Sequence, residues 1–124
     1  MQMGMTLGLA MDGNVPISIF PRWNFLLYGV SQLVNHLDKF KVMSGNKLKP
    51  KMIIRTGVGS KRPLHPQFQH IGDFSDAIQK MCTSIEVVKL KEPRDIYQSY
   101  KKAYERKDGK NTILVEYGDF YNEK

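Results

Sequence analysis

An α/β domain built on a doubly wound parallel sheet, with helices on both faces, is what the sequence predicts, and three observations carry it. Short runs of nearly unbroken apolar residues at 15–20, 51–55, 85–90 and 112–116 read as strands buried on both faces rather than strands with one wet side. Stretches with helical spacing of apolar residues lie between them. Cap and turn residues separate the two kinds of segment, so helix and strand alternate along the whole chain, the pattern of a parallel sheet linked by crossover helices.

Taken in order, residues 1–11 are small and apolar, with Gly4 and Gly8 four apart, a spacing that predicts close packing of a helix on a neighbour; Gly13 suits its C-terminal cap. Residues 15–20 form the first strand. From Phe25 to Met43 apolar residues recur at Phe25, Leu26, Leu27, Val30, Leu33, Val34, Leu37, Phe40 and Met43, a helical spacing that Ser44-Gly45 ends. The second strand, 51–55, runs into an irregular stretch over 56–72 that holds Gly57, Gly59, Pro63, Pro66, His65 and His70. Asp73 or Ser75 can cap a helix through Ala77, Ile78 and Met81. The third strand, 85–90, is followed by Glu92-Pro93, which opens a helix from 94 to about 106. Asp108-Gly109 turns the chain into the fourth strand, 112–116, and a polar tail follows Tyr117-Gly118.

At 124 residues the chain makes one domain, and its 41% hydrophobic and 25% charged residues exclude disorder. Every apolar run is broken by charged, Asn, Gly or Pro residues, so no membrane span is expected. The N-terminal stretch lacks the basic start of a signal peptide and reads as a buried helix. One cysteine, Cys82, excludes an internal disulfide and suits a reducing compartment, so a cytoplasmic location is expected; behind Ile78 and Met81 it reads as a buried structural thiol. The net charge of +7 gathers in two groups, Lys47 to Arg62 and Lys101 to Lys110. Basic groups of this kind can mark nucleic-acid binding, but Glu105 and Asp108 interrupt the second and neither has the interleaved aromatics that stack bases. Solvated faces, and no nucleic-acid partner, are expected.

Parallel α/β sheets take ligands at the carboxyl ends of their strands. Two segments stand there: Pro21 to Phe25 after the first strand, and the long loop after Arg55. Loops of such length in compact domains are commonly functional. Gly57 and Gly59 allow close backbone approach, but no G-x-G-x-x-G or P-loop surrounds them.

Residues 16–45 resemble the β subunits of the decarboxylating component of 2-oxo-acid dehydrogenase complexes, members of the thiamine-diphosphate-dependent transketolase superfamily. The matching residues are Phe20, Trp23-Asn24-Phe25, Gln32-Leu33-Val34-Asn35, Lys39 and Met43-Ser44-Gly45. Gly8-x-Ala10-Met11-x-Gly13 is similar to that family's G-x-A-[ML]-x-G, Ile53-Ile54-Arg55 to a strand ending in Arg, and Gln69-His70 to its active-site loop. Val87-Val88 and Val115-Glu116 match the later strands. Pro21 stands where that pattern has an unbranched apolar residue, and the loop is about one residue different in length.

The resemblance implies a pyrimidine-binding domain of a transketolase or 2-oxo-acid dehydrogenase type enzyme, using thiamine diphosphate and Mg²⁺. It implies that Phe25 stacks on the pyrimidine with Asn24 and Pro21 beside it, and that His70 is the catalytic loop histidine. His65, the rival loop position, and Arg22 are the candidates for contact with a keto-acid or keto-sugar substrate. No metal ligand is expected in the chain, because Mg²⁺ and the diphosphate belong to a partner domain; a homodimer or a heteromer with such a domain is implied. In the same register the glutamate that activates the ring falls about two residues before Met1, and no Glu or Asp occurs in residues 1–11. The expectation is therefore a domain without its first strand and glutamate segment, inactive alone. A non-catalytic α/β interaction module derived from the family is the alternative.

Overall fold

A computed structural model of the chain describes residues 1–121, and the last three residues of the polar tail lie outside them. Four strands, β1 (Ile17–Ile19), β2 (Ile53–Val58), β3 (Ile85–Leu90) and β4 (Asn111–Tyr117), form one sheet in the order β1-β2-β4-β3. All three pairings are parallel. The chain is thus an α/β protein with an all-parallel sheet. Its helices are α1 (Gln2–Met11), α2 (Trp23–Leu26), α3 (Phe40–Met43), α4 (Ser75–Met81) and α5 (Pro93–Glu105).

Alternation along the strands sorts the core into two layers. Ile54, Ile113, Val115 and Val87 pack with Met3, Leu7, Trp23, Leu26, Leu33 and Ile78, which come from α1, from the α2-to-α3 segment and from α4. Ile53, Leu114 and Leu90 point the other way and pack with Ala103 and Tyr100 of α5. That second face is only half covered. α5 lies over β3 and β4, and on the outer strand β1 the side chains of Ile17 and Ile19 remain 52% and 50% exposed.

The single helix expected over 25–43 is instead a composite. After α2 comes a 3₁₀ turn, Leu27–Gly29, then a π-helical turn, Gln32–Leu37, and only then α3. The cause lies at Asp38. In the wider turn the Asp38 N–H donates to the Leu33 carbonyl, five residues back, at 3.0 Å. Leu33 and Leu37 both stay in the core, and Asp38, 1% exposed, turns inward. Its Oδ1 there accepts the backbone N–H groups of Thr83 (2.8 Å) and Ser84 (2.6 Å), and its Oδ2 the Thr83 hydroxyl. One carboxylate therefore ties this segment to the turn that starts β3.

The two helix glycines do not act as the spacing suggested. Gly4 and Gly8 are exposed, with no atom within 4 Å of where a Cβ would stand. The close helix contact uses Gly29, where a Cβ would come 3.4 Å from Met3 Cβ. Gly13 (φ 90°) and Gly45 (φ 61°) end their helices in the left-handed conformation as expected. Cys82 is buried, and burial first, then the Asp38 charge, push its thiol up to about 11, which makes it inert at neutral pH.

Asp38 is the sharpest test of this packing. Burial alone would raise its carboxyl, but Lys39 and the hydrogen bonds from Ser84 and Thr83 hold it below the ordinary aspartate value. A depressed folded-state pKa gives stability that is present above the unfolded-state value and lost as pH falls through the folded one. Asp38→Ala removes the carboxylate partner of the part-buried Thr83 and Ser84 N–H groups and is expected to cost about 2 kcal/mol in urea unfolding at pH 7. The gap between parent and variant is expected to begin narrowing as the pH falls below about 4, where the carboxylate protonates in the unfolded chain, and to be lost as the folded one protonates at lower pH.

Candidate functional site

Because the sheet is parallel, the segments that follow β1 and β2 leave from the same end, side by side. Arg22, in extended conformation, precedes α2, and the Phe25 N–H donates to its carbonyl at 3.1 Å. The helical period then turns Trp23 (1% exposed) and Leu26 (0%) into the core. Asn24, half-buried, and Phe25, 42% exposed, are left at the strand ends. Beside them β2 passes so close to the loop that a Cβ on Gly57 would stand 3.0 Å from the Pro21 carbonyl oxygen. Gly57 is the residue that permits this approach.

The loop after β2 returns to the same place. Gln67, with φ 75°, leads into a 3₁₀ turn, Phe68–His70, closed by the His70 N–H on the Gln67 carbonyl at 3.1 Å. The turn sets the His70 ring against Phe25, with centroids 5.7 Å apart and planes 21° from parallel. His70 Nδ1 lies 3.0 Å from Asn24 Oδ1. With the amide oxygen as acceptor, Nδ1 is the donor, and in the neutral ring Nε2 is then the acceptor. Three candidates from distant parts of the sequence, Asn24, Phe25 and His70, thus form one cluster.

His65 does not join it. It is exposed, meets Phe68 edge-on at 5.5 Å, and its Nδ1 accepts the Gln67 N–H at 3.1 Å, so it serves its own loop. Arg22 is half-buried at the start of α2, and Pro21 lines a groove of about 320 Å³ with Phe20, Phe25, Tyr28, Gln2 and Gln32. The groove has aromatic walls and two side-chain amides. The Gln2 amide is engaged, donating to Ser18 Oγ (3.1 Å) and to the Ile19 carbonyl (2.8 Å).

The structure adds a set of residues that sequence reasoning missed, those that pin the His70 loop. Asp119 Oδ1 accepts the Lys61 N–H at 2.8 Å, and the Tyr117 hydroxyl donates to Asp73 Oδ2 at 3.1 Å, so both ends of the loop are held by the segment around the end of β4. Asp73 also accepts the Ser75 N–H and so caps α4 from two residues ahead. On the face of the sheet that α5 covers, Arg55 on β2 donates from Nε to Glu116 on β4 at 2.8 Å, and the Tyr100 and Tyr121 hydroxyls donate to the same carboxylate. Arg55 holds Glu116 below the usual glutamate value, against the opposing effect of burial. Burial and the Glu116 charge push Tyr100 up to about 12. The signal for this pair was present in the sequence: two opposite charges, each placed in an apolar strand.

Compared with models of known protein families and with curated proteins, the chain matches none. The Asn24–Phe25–His70 cluster can be checked by proton NMR. Stacking on Phe25 is expected to shift the His70 ring protons upfield, and Phe25→Leu should remove that shift while changing stability by no more than about 1 kcal/mol, since the residue is part-exposed and leucine keeps much of its apolar contact. Asn24→Ala should move the same resonances by releasing Nδ1. Unchanged His70 resonances in both variants would refute the cluster.

Proposed function

We propose that the chain forms the half-site that grips the aminopyrimidine ring of thiamine diphosphate in a transketolase or 2-oxo-acid dehydrogenase type enzyme. The observation that carries the reading is the meeting of Phe25, Asn24 and His70 at the carboxyl ends of two adjacent parallel strands. This is where such sheets take ligands, and these are the residues to which the sequence resemblance gives the cofactor and catalytic roles.

The residues present fit a single heteroaromatic ring. One side of Phe25 stacks on His70, yet 42% of the residue stays exposed, which leaves aromatic surface for a second ring. Pro21 and Phe20 supply the apolar wall of the adjoining groove, and Gln32 a side-chain amide. When bound, the cofactor supplies a nucleophilic carbon and an electron sink for a keto substrate. In this reading His70 is held by Asn24 with Nε2 free to exchange a proton with the substrate oxygen, and the neighbouring Arg22 offers a contact to its acidic or hydroxyl groups. The sequence resemblance gives Mg²⁺ and the diphosphate to a partner domain, and the proposal keeps that assignment. No Glu or Asp occurs in residues 1–11, and the carboxylate that would activate the ring is assigned to no residue of this chain.

Saturation-transfer NMR with thiamine diphosphate and Mg²⁺ tests the reading directly, because it detects weak binding to the isolated chain. Saturation should pass to the methyl and ring protons of the pyrimidine more than to the thiazolium, and Phe25→Ala should abolish it. The fluorescence of Trp23, the sole tryptophan and the buried neighbour of Asn24 and Phe25, should fall in parallel. No transfer to the pyrimidine, or equal transfer in Phe25→Ala, would sink the proposal.

A further inference from the structure

The opposite end of the sheet carries almost all of the net charge. The strands begin there, and the segments that reach it, 39–51, Lys80 and 101–110, hold eleven of the chain's 19 lysines and arginines. The carboxylates at the same end are Asp12, Asp38, Glu86, Glu105 and Asp108, five of 12, so a surplus of six stands there out of a net +7. In the sequence the two basic groups are some fifty residues apart; β2 and β4 are neighbours, and their entry segments therefore touch. Lys41 Nζ donates to the Asp108 carbonyl at 3.2 Å, and Lys51 Nζ donates to the Tyr104 carbonyl at 2.6 Å.

Some of these cations have structural duties. Lys41 and Lys51 bind carbonyls at and beyond the C-terminus of α5, and Arg106 is held by Glu86 and Asp108. Lys47, Lys49, Lys107 and Lys110 are different: all four are exposed, and none makes an ion pair among the described residues. Apolar residues stand beside them. Val42 is 77% exposed, Met43 74% and Leu48 40%, on a compact turn held by the Leu48 N–H on Ser44 Oγ at 2.9 Å and the Asn46 N–H on the Lys41 carbonyl at 2.8 Å. Burial of Phe40 and Pro50 at either side leaves these three without cover.

We propose that this surface, Val42, Met43 and Leu48 ringed by Lys47, Lys49, Lys107 and Lys110, docks an acidic amphipathic segment of a partner protein. Charge complementarity selects carboxylates, and the exposed aliphatic side chains select a partner with an apolar stripe. The free cations are all lysines, without a free arginine fork to clasp a phosphate, and Tyr104 already has Lys51 over its ring at 5.5 Å, so the chemistry favours protein over nucleic acid. The patch has no Trp or Phe to sit at a lipid headgroup boundary. It lies at the far end of the strands from Phe25 and His70, so both ends of the molecule can be occupied together.

A fluorescein-labelled synthetic helix with Glu on one face and Leu on the other is the probe, read by anisotropy against the whole chain. Binding in the micromolar range is expected at low salt, weakened about tenfold by the double charge reversal K47E/K49E. V42S/M43S should weaken it several-fold with the salt dependence unchanged, and neither variant should alter saturation transfer from thiamine diphosphate. Circular dichroism of both variants controls for folding, which exposed positions leave intact. The proposal is overturned by no binding at 100 µM probe, by equal binding of a poly-glutamate peptide without leucines, or by tighter binding to single-stranded RNA or to phosphatidylserine vesicles.

Discussion

Everything distinctive about this molecule depends on four strands running the same way. A parallel pair needs a crossover between its strands, so each connection starts at one end of the sheet and is delivered to the other. The segments after β1 and β2 are therefore neighbours at one end, and those before β2 and β4 are neighbours at the other. The first adjacency brings Asn24 and Phe25 to His70, across 45 residues of sequence. The second brings the lysines around position 48 to those around position 108. One hydrogen-bond register thus makes an aromatic cluster at one pole and a cationic surface at the other.

Buried Asp38 and the half-buried Arg55–Glu116 pair hold this arrangement to a single geometry. Asp38 satisfies backbone donors that would otherwise be orphaned at the entry to β3, and the need for its inward turn explains why the preceding segment adopts a π-helical turn rather than a regular α-helix. Arg55 and Glu116, on adjacent strands, neutralise each other on the α5 face of the sheet with two tyrosine hydroxyls completing the carboxylate. Isolated buried charges are costly, and paired ones gain chiefly by excluding other registers. A slip of β2 against β4 would leave Arg55 and Glu116 unmatched, and with them the turn after β4 whose Asp119 holds Lys61.

Local chemistry was legible wherever it acts over a few residues. The third strand matches its predicted bounds, and the other strands and α5 differ by only one to three residues at their ends, because continuous apolar runs and cap signals are short-range. The expected left-handed glycines, Gly13 and Gly45, are where the sequence puts them. The roles of Gly4 and Gly8 were not legible: their spacing suits close packing, but the face of α1 that meets the sheet carries Met3, Leu7 and Ala10 instead. Nor could a 3.6-residue period over 25–43 reveal the wider turn, since Leu33 and Leu37 satisfy both.

Which ring faces Phe25 shows where sequence and structure divide. Residue types alone determined an α/β parallel sheet, the two segments at its carboxyl ends, and two histidines in the second of them. They could not choose between His65 and His70, because the choice depends on where a left-handed Gln67 and the 3₁₀ turn after it aim the chain. Tertiary structure alone decided that His70 meets Asn24 and Phe25, that Asp119 and Tyr117 pin its loop, and that two basic groups fifty residues apart share one surface. The physical reason is the same in each case: these contacts join residues whose separation in sequence carries no local energy, and only the register of the parallel sheet brings them within reach.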